Sequence, residues 1–84
     1  MNVHDSSADA LLVRWEFGRD HRRLMCAIHA TPAASSYEVA TVPLWDVAQT
    51  SVETFNSASA ALLQHAAIAA DLREAGWTIA SYTA

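Results

Sequence analysis

The sequence predicts an α+β domain: an antiparallel β-meander of three to four strands packed on one long C-terminal helix, followed by a short strand. Three observations predict it. Runs of alternating apolar residues fill the first half of the chain. One alanine- and leucine-rich run near the C-terminus has helical spacing. The 84 residues are 52% hydrophobic and 17% charged, too apolar for a disordered chain and too sparsely charged for a coiled coil. A chain of this length makes one domain. It is expected over residues 10–84, after a polar, frayed, flexible N-terminus at residues 1–9.

The first strand is read at Leu11–Phe17. Leu11, Val13, Trp15 and Phe17 share one face; Leu12, Arg14 and Glu16 share the other. Arg23–Ala30 is the second strand, with Leu24, Cys26 and Ile28 in phase. A turn at Arg19-Asp20, or at Gly18–His21, gives the same expected register. Val13 then faces Cys26, Trp15 faces Leu24 and Leu11 faces Ile28, so inner residues meet inner residues. On the outer face this register sets Glu16 opposite Arg23. Thr31–Ser35 is a loop, and Tyr37–Val42 is a third strand ended by Pro43. Keeping that strand in phase puts Ile28 opposite Val39 and His29 opposite Glu38.

Leu44–Thr50 is expected to be a loop. Ser51–Phe55 has two readings. It is a short fourth strand, or it is the first turn of the helix, because Thr50-x-x-Glu53 matches a capping box. The strand is favoured, since Thr, Val and Phe prefer strands and Asn56 or Ser57 supplies another N-cap. The helix spans Ser57–Ala75, with Ala58, Leu62, His65, Ala66, Ala69 and Leu72 as its expected core stripe. Gly76 follows as the residue of a Schellman ending, which pairs Trp77 with Leu72. Trp77–Tyr82 is the last strand.

The net charge is −4, yet Arg14–Arg23 carries +2 and the rest of the chain −6. Such a chain repels nucleic acid on average, with one local patch as an exception. The single cysteine, Cys26, allows no internal disulfide, which fits a reducing cytoplasm. No apolar run reaches the roughly 18–20 residues that span a membrane. The N-terminus has no basic region followed by an apolar core, so no secretory signal is expected.

Catalytic signatures are absent from the sequence. There is no G-x-S-x-G, H-E-x-x-H, Gly-rich phosphate loop or C-x-x-C. Both glycines, Gly18 and Gly76, are used by turns. No enzyme activity, catalytic residue or cofactor is therefore expected. Cys26 and His29 have the spacing of a metal half-site, but residues three apart on a strand face opposite ways, so no metal is expected either. His29 beside Glu38 reads as a solvated pair. His65, on the helix stripe, reads as a buried, hydrogen-bonded side chain.

Two features point to recognition. The loop carrying Leu44, Trp45 and Val47 is apolar where loops are normally polar, and tryptophan is enriched in interface hot spots. The outer sheet face, with Leu12, Met25, Ala27, Ala40 and Val42, is too apolar to be fully wetted. The expected function is a non-enzymatic protein-interaction or regulatory module. Its candidate residues are Trp45, Leu44, Leu12, Met25 and Val42, and a second copy in a homodimer is the simplest cover for the face. The alternative is single-stranded nucleic-acid binding through Arg14, Arg19, Arg22 and Arg23. It ranks second because Trp15 and Phe17 point inward and leave nothing on the outer face to stack on a base.

The run RWEF, a basic turn, RRL, a tyrosine-containing strand, then Phe55 before a helix closing on LREAGW resembles small bacterial sheet-then-helix proteins of unknown function. The resemblance spans most of the chain. Its motifs are turns, core aromatics and a helix cap, so it implies a fold and assigns no residue a role. The element order also resembles four-strands-then-helix single-strand DNA binders, whose outward aromatics and basic surface this chain lacks.

Overall fold

The computed structural model describes residues 10–31 and 35–83. The predicted frayed N-terminus and the centre of the predicted Thr31–Ser35 loop lie outside these. Strands β1 (Ala10–Arg19), β2 (Arg22–Thr31), β3 (Ser36–Pro43) and β4 (Ser51–Phe55) form the meander. Helix α1 (Ala58–Glu74) follows, and β5 (Thr78–Thr83) closes the chain. The five-stranded sheet has the order β4-β3-β2-β1-β5. The predicted α+β architecture is therefore correct, and Ser51–Phe55 is a strand. No helix among the described residues is long and apolar enough to cross a membrane.

The helix exists because β4 and β5 sit at opposite edges. A chain leaving one edge must cross a face to reach the other. Seventeen helical residues reach about 25 Å, and a five-stranded sheet is about 19 Å wide, so one helix makes the crossing. Ser57 starts it as predicted, accepting from the Ala60 N–H at 3.2 Å. The end is a Schellman motif: Trp77 N–H donates to Leu72 C=O at 2.9 Å and Gly76 N–H to Arg73 C=O at 3.1 Å. Gly76 takes φ +94°, which a residue with a Cβ resists.

Between β2 and β3 the register is as expected, with Ile28 opposite Val39 and His29 opposite Glu38. The β1–β2 register differs from the expected one. Trp15 faces Cys26, Phe17 faces Leu24 and Val13 faces Ile28, a slip of two residues. A two-residue slip keeps every side chain on its own face, so apolar alternation cannot detect it. Turn chemistry decides instead. Asp20 adopts φ 57°, a conformation Asp tolerates better than most residues. The turn therefore tightens on Asp20-His21, with Arg19 paired to Arg22. Glu16 now faces Met25 rather than Arg23, although the Arg23 guanidinium still reaches it diagonally at 3.5 Å. A bulge between Leu11 and Val13 sets Leu11 opposite His29, so Leu11 leaves the inner face assigned to it.

The core lies between α1 and β2–β4. Cys26, Ile28, Val39 and Ala61 form its centre, with Tyr37, Phe55 and Ile68 around them. Phe17 is fully buried and packs edge-on against Trp15. The helix stripe is rotated from the expected one. Ala61, His65 and Ala69 are buried and Ile68 and Leu72 half-buried, whereas Leu62 is 50% exposed and Ala66 is exposed. The cause is compositional: no charged residue stands between Ser57 and Ala70. A helix with so few polar residues over its first three turns has no continuous polar face to set the phase.

Candidate functional site

The two features the sequence presents separately, the arginine turn and the Trp45 loop, meet at one end of the sheet. Topology brings them there. In a meander the first and third connections share an end, and β5 begins at that end because Gly18 pairs with Thr78. Trp77, just before β5, therefore joins the group. The Trp45 and Trp77 rings stack with centroids 5.9 Å apart and planes inclined by 17°. The Arg22 guanidinium lies over the Trp45 ring at 4.8 Å, a cation–π contact.

The loop that carries Trp45 is tied down by its backbone. Leu44 N–H donates to Arg23 C=O, and Asp46 N–H donates to Pro43 C=O, both at 3.0 Å. A single 3₁₀ turn, Val47–Gln49, fills the remainder of the predicted loop. Trp45 still keeps 43% of its surface exposed, Leu44 44% and Val47 63%. The loop thus both folds onto the sheet end and presents an apolar surface.

The four arginines are divided. Arg14 ion-pairs with Glu16, which also holds Arg23. Both lie on the outer face. Arg19 and Arg22 face each other across the turn, and neither forms a salt bridge among the described residues. Together with Asp20, His21 and Trp77 they line an open recess of about 340 Å³. Read from the sequence, Trp77 closes the helix and opens the last strand, and neither role marks it as a site residue. The signal that would have found it is the topology itself, which fixes the end of the sheet where β5 starts.

On the outer face, Met25 and Val42 are cross-strand partners, as are Ala27 and Ala40. Val52 pairs with Ala40 and extends the strip to β4. Leu11, Leu12 and Val52 are 46%, 39% and 52% exposed. Ala27 is fully buried although no layer covers this face among the described residues. Arg14 lies across to Met25, its Nε 3.0 Å from Sδ, and these longer side chains close over the methyl group.

The chemically capable groups of the core are occupied. His65 is buried and its Nε2 lies 3.1 Å from the Cys26 carbonyl. A carbonyl only accepts, so Nε2 carries the proton. The imidazole also packs on Trp15, with centroids 4.2 Å apart. Trp15 Nε1 is buried with no hydrogen-bond partner among the described residues. Burial pushes the Cys26 thiol up from 9.0 to about 11, against a smaller lowering by its contact with Thr41. Cys26 faces the helix and His29 the opposite side, so the two do not converge on one ion. No group of three or more metal-ligating side chains occurs among the described residues. No family model, no curated protein and no solved structure matches the chain.

Proposed function

We propose that the protein is a small non-enzymatic interaction module. It captures a protein partner through the outer sheet face and the adjoining Leu44–Trp45 loop. The observation that carries this reading is the exposed apolar surface on both: Leu11, Leu12 and Val52 on the sheet, and Leu44, Trp45 and Val47 on the loop. Surface of this kind, rimmed by Arg14, Glu16 and Arg23, is the usual mark of a contact site. A non-enzymatic role is supported by the buried thiol and by His65, which is already committed to a backbone carbonyl. The partner is a second copy or a different protein. Light scattering behind a sizing column, at low and high salt, separates these cases. Leu12→Glu, Met25→Glu and Trp45→Ala should each weaken self-association or quantitative partner capture. If all three leave both unchanged, the reading is wrong.

A second reading, single-strand nucleic-acid binding, is favoured by Arg19 and Arg22, cross-strand partners that line one recess with Trp77. Against it, Arg14 and Arg23 share the one carboxylate of Glu16, which offsets one of their two charges, and Trp45 is already engaged by Arg22 and Trp77. Fluorescence anisotropy with labelled oligo(dT) tests it: binding that falls steeply with salt supports it, and no binding at low salt ends it.

A further inference from the structure

We infer that the recess between the β1–β2 turn and the end of α1 is a binding site for a phosphorylated planar ligand of mononucleotide size. This goes beyond the protein-partner reading: the recess borders the Trp45 loop through Arg22 and Trp77 but does not use the outer sheet face. Arg19 and Arg22 are direct cross-strand partners. Like charges placed opposite each other on a sheet are destabilising, and no carboxylate forms a salt bridge with either among the described residues.

Each arginine has a partial compensation. Arg22 lies over Trp45. Arg19 Nε comes within 3.9 Å of the Cβ position at Gly76, beside the electronegative end of the helix. Neither contact supplies the bidentate oxyanion partner that a guanidinium fork fits. A phosphate monoester between them would supply it and would remove the repulsion.

The other walls select more than a bare anion. Trp77 lines the recess while its ring stacks with Trp45, and an indole is a surface on which a base can stack. Asp20 lines it too and accepts hydrogen bonds from a sugar hydroxyl. The volume of about 340 Å³ is at the small end of the range for ligand pockets, roughly 300–1,000 Å³. It therefore suits one nucleotide rather than a longer ligand. Phosphate, hydroxyl and ring are the three parts of a nucleoside monophosphate, whether free or at the 5′ end of a strand.

Isothermal titration of the full chain with AMP, adenosine and inorganic phosphate tests the assignment. AMP should bind at least about tenfold more tightly than either fragment. Arg22→Gln and Trp77→Leu should each weaken AMP by about tenfold or more. Leu12→Glu, remote from the recess, should not change it. Arg19→Gln is the second variant should Trp77→Leu disturb the fold, which circular dichroism reports. Oligo(dT) with and without a 5′-phosphate then separates the sources. Binding that needs the 5′-phosphate assigns a strand end, and AMP binding alone assigns the free nucleotide. No AMP binding, or AMP binding no tighter than inorganic phosphate, overturns the proposal. The interaction reading is scored separately, on Leu12→Glu and Met25→Glu, so either proposal can fail alone.

Discussion

Ala27 and Ala61 are both fully buried, but for different reasons, and they mark the two faces of one sheet. Ala61 is enclosed by a second layer, between α1 and the strands beneath it. Among the described residues no second layer covers Ala27; its cross-strand partner Arg14 lies across to Met25 on the same face. Burial on the helix side comes from packing of whole elements. On the outer side the neighbours described are two long side chains of the same face, Arg14 and Met25. Equal loss of solvent contact therefore does not imply equal rigidity.

The largest expected effect is on the helix side. Phe17→Ala should cost about 3–5 kcal/mol in urea unfolding, because a large buried ring leaves a cavity. A cost below about 1 kcal/mol would mean that this side is as loosely packed as the other.

Next is the alkaline limb of stability. The Cys26 thiol is held neutral up to about 11, against 9.0 ordinarily. Above the lower value the unfolded chain ionises first and binds fewer protons than the folded one. Stability is thus full at lower pH and falls as pH rises from 9.0 to about 11, by about 2–3 kcal/mol. Cys26→Ala should flatten that slope. An unchanged slope would show that the thiol is not held in a dry interior.

The comparison itself is tested by a pair of substitutions. Ala61→Leu overpacks the interface between layers and should cost about 1–3 kcal/mol. Ala27→Leu should cost less than about 1 kcal/mol, since Arg14 and Met25 can move aside. Equal costs would erase the distinction between the faces.

The smallest effect on stability is expected for Leu12→Glu, within about ±0.5 kcal/mol. That variant separates binding from folding, because partner capture should still be lost.

Several features of the fold were legible in local residue choice. Thr, Val and Phe at Ser51–Phe55 gave a strand. Ser57 and Gly76 bounded the helix. Alternation on β2 and β3 put His29 beside Glu38. What misled was degeneracy. A two-residue slip on β1 leaves each side chain on its original face, and a helix without charged residues up to Ala70 can be rotated without violating any pattern. The expected stripe therefore includes Leu62, which is exposed, and omits Ile68, which packs on the core. The candidate site was legible only in parts, as an arginine turn and as an apolar loop. Their meeting depends on a five-stranded order that no local window contains.

By itself, the sequence determined the element types, the helix boundaries and the side of the sheet for most strand residues. These follow from propensity, capping and a side-chain period of two, all short-range properties. Tertiary structure alone decided the hairpin register, the rotation of α1 and the stacking of Trp77 on Trp45 beside Arg22. Each of these compares arrangements that are locally equivalent. Only the packing of distant segments distinguishes their energies.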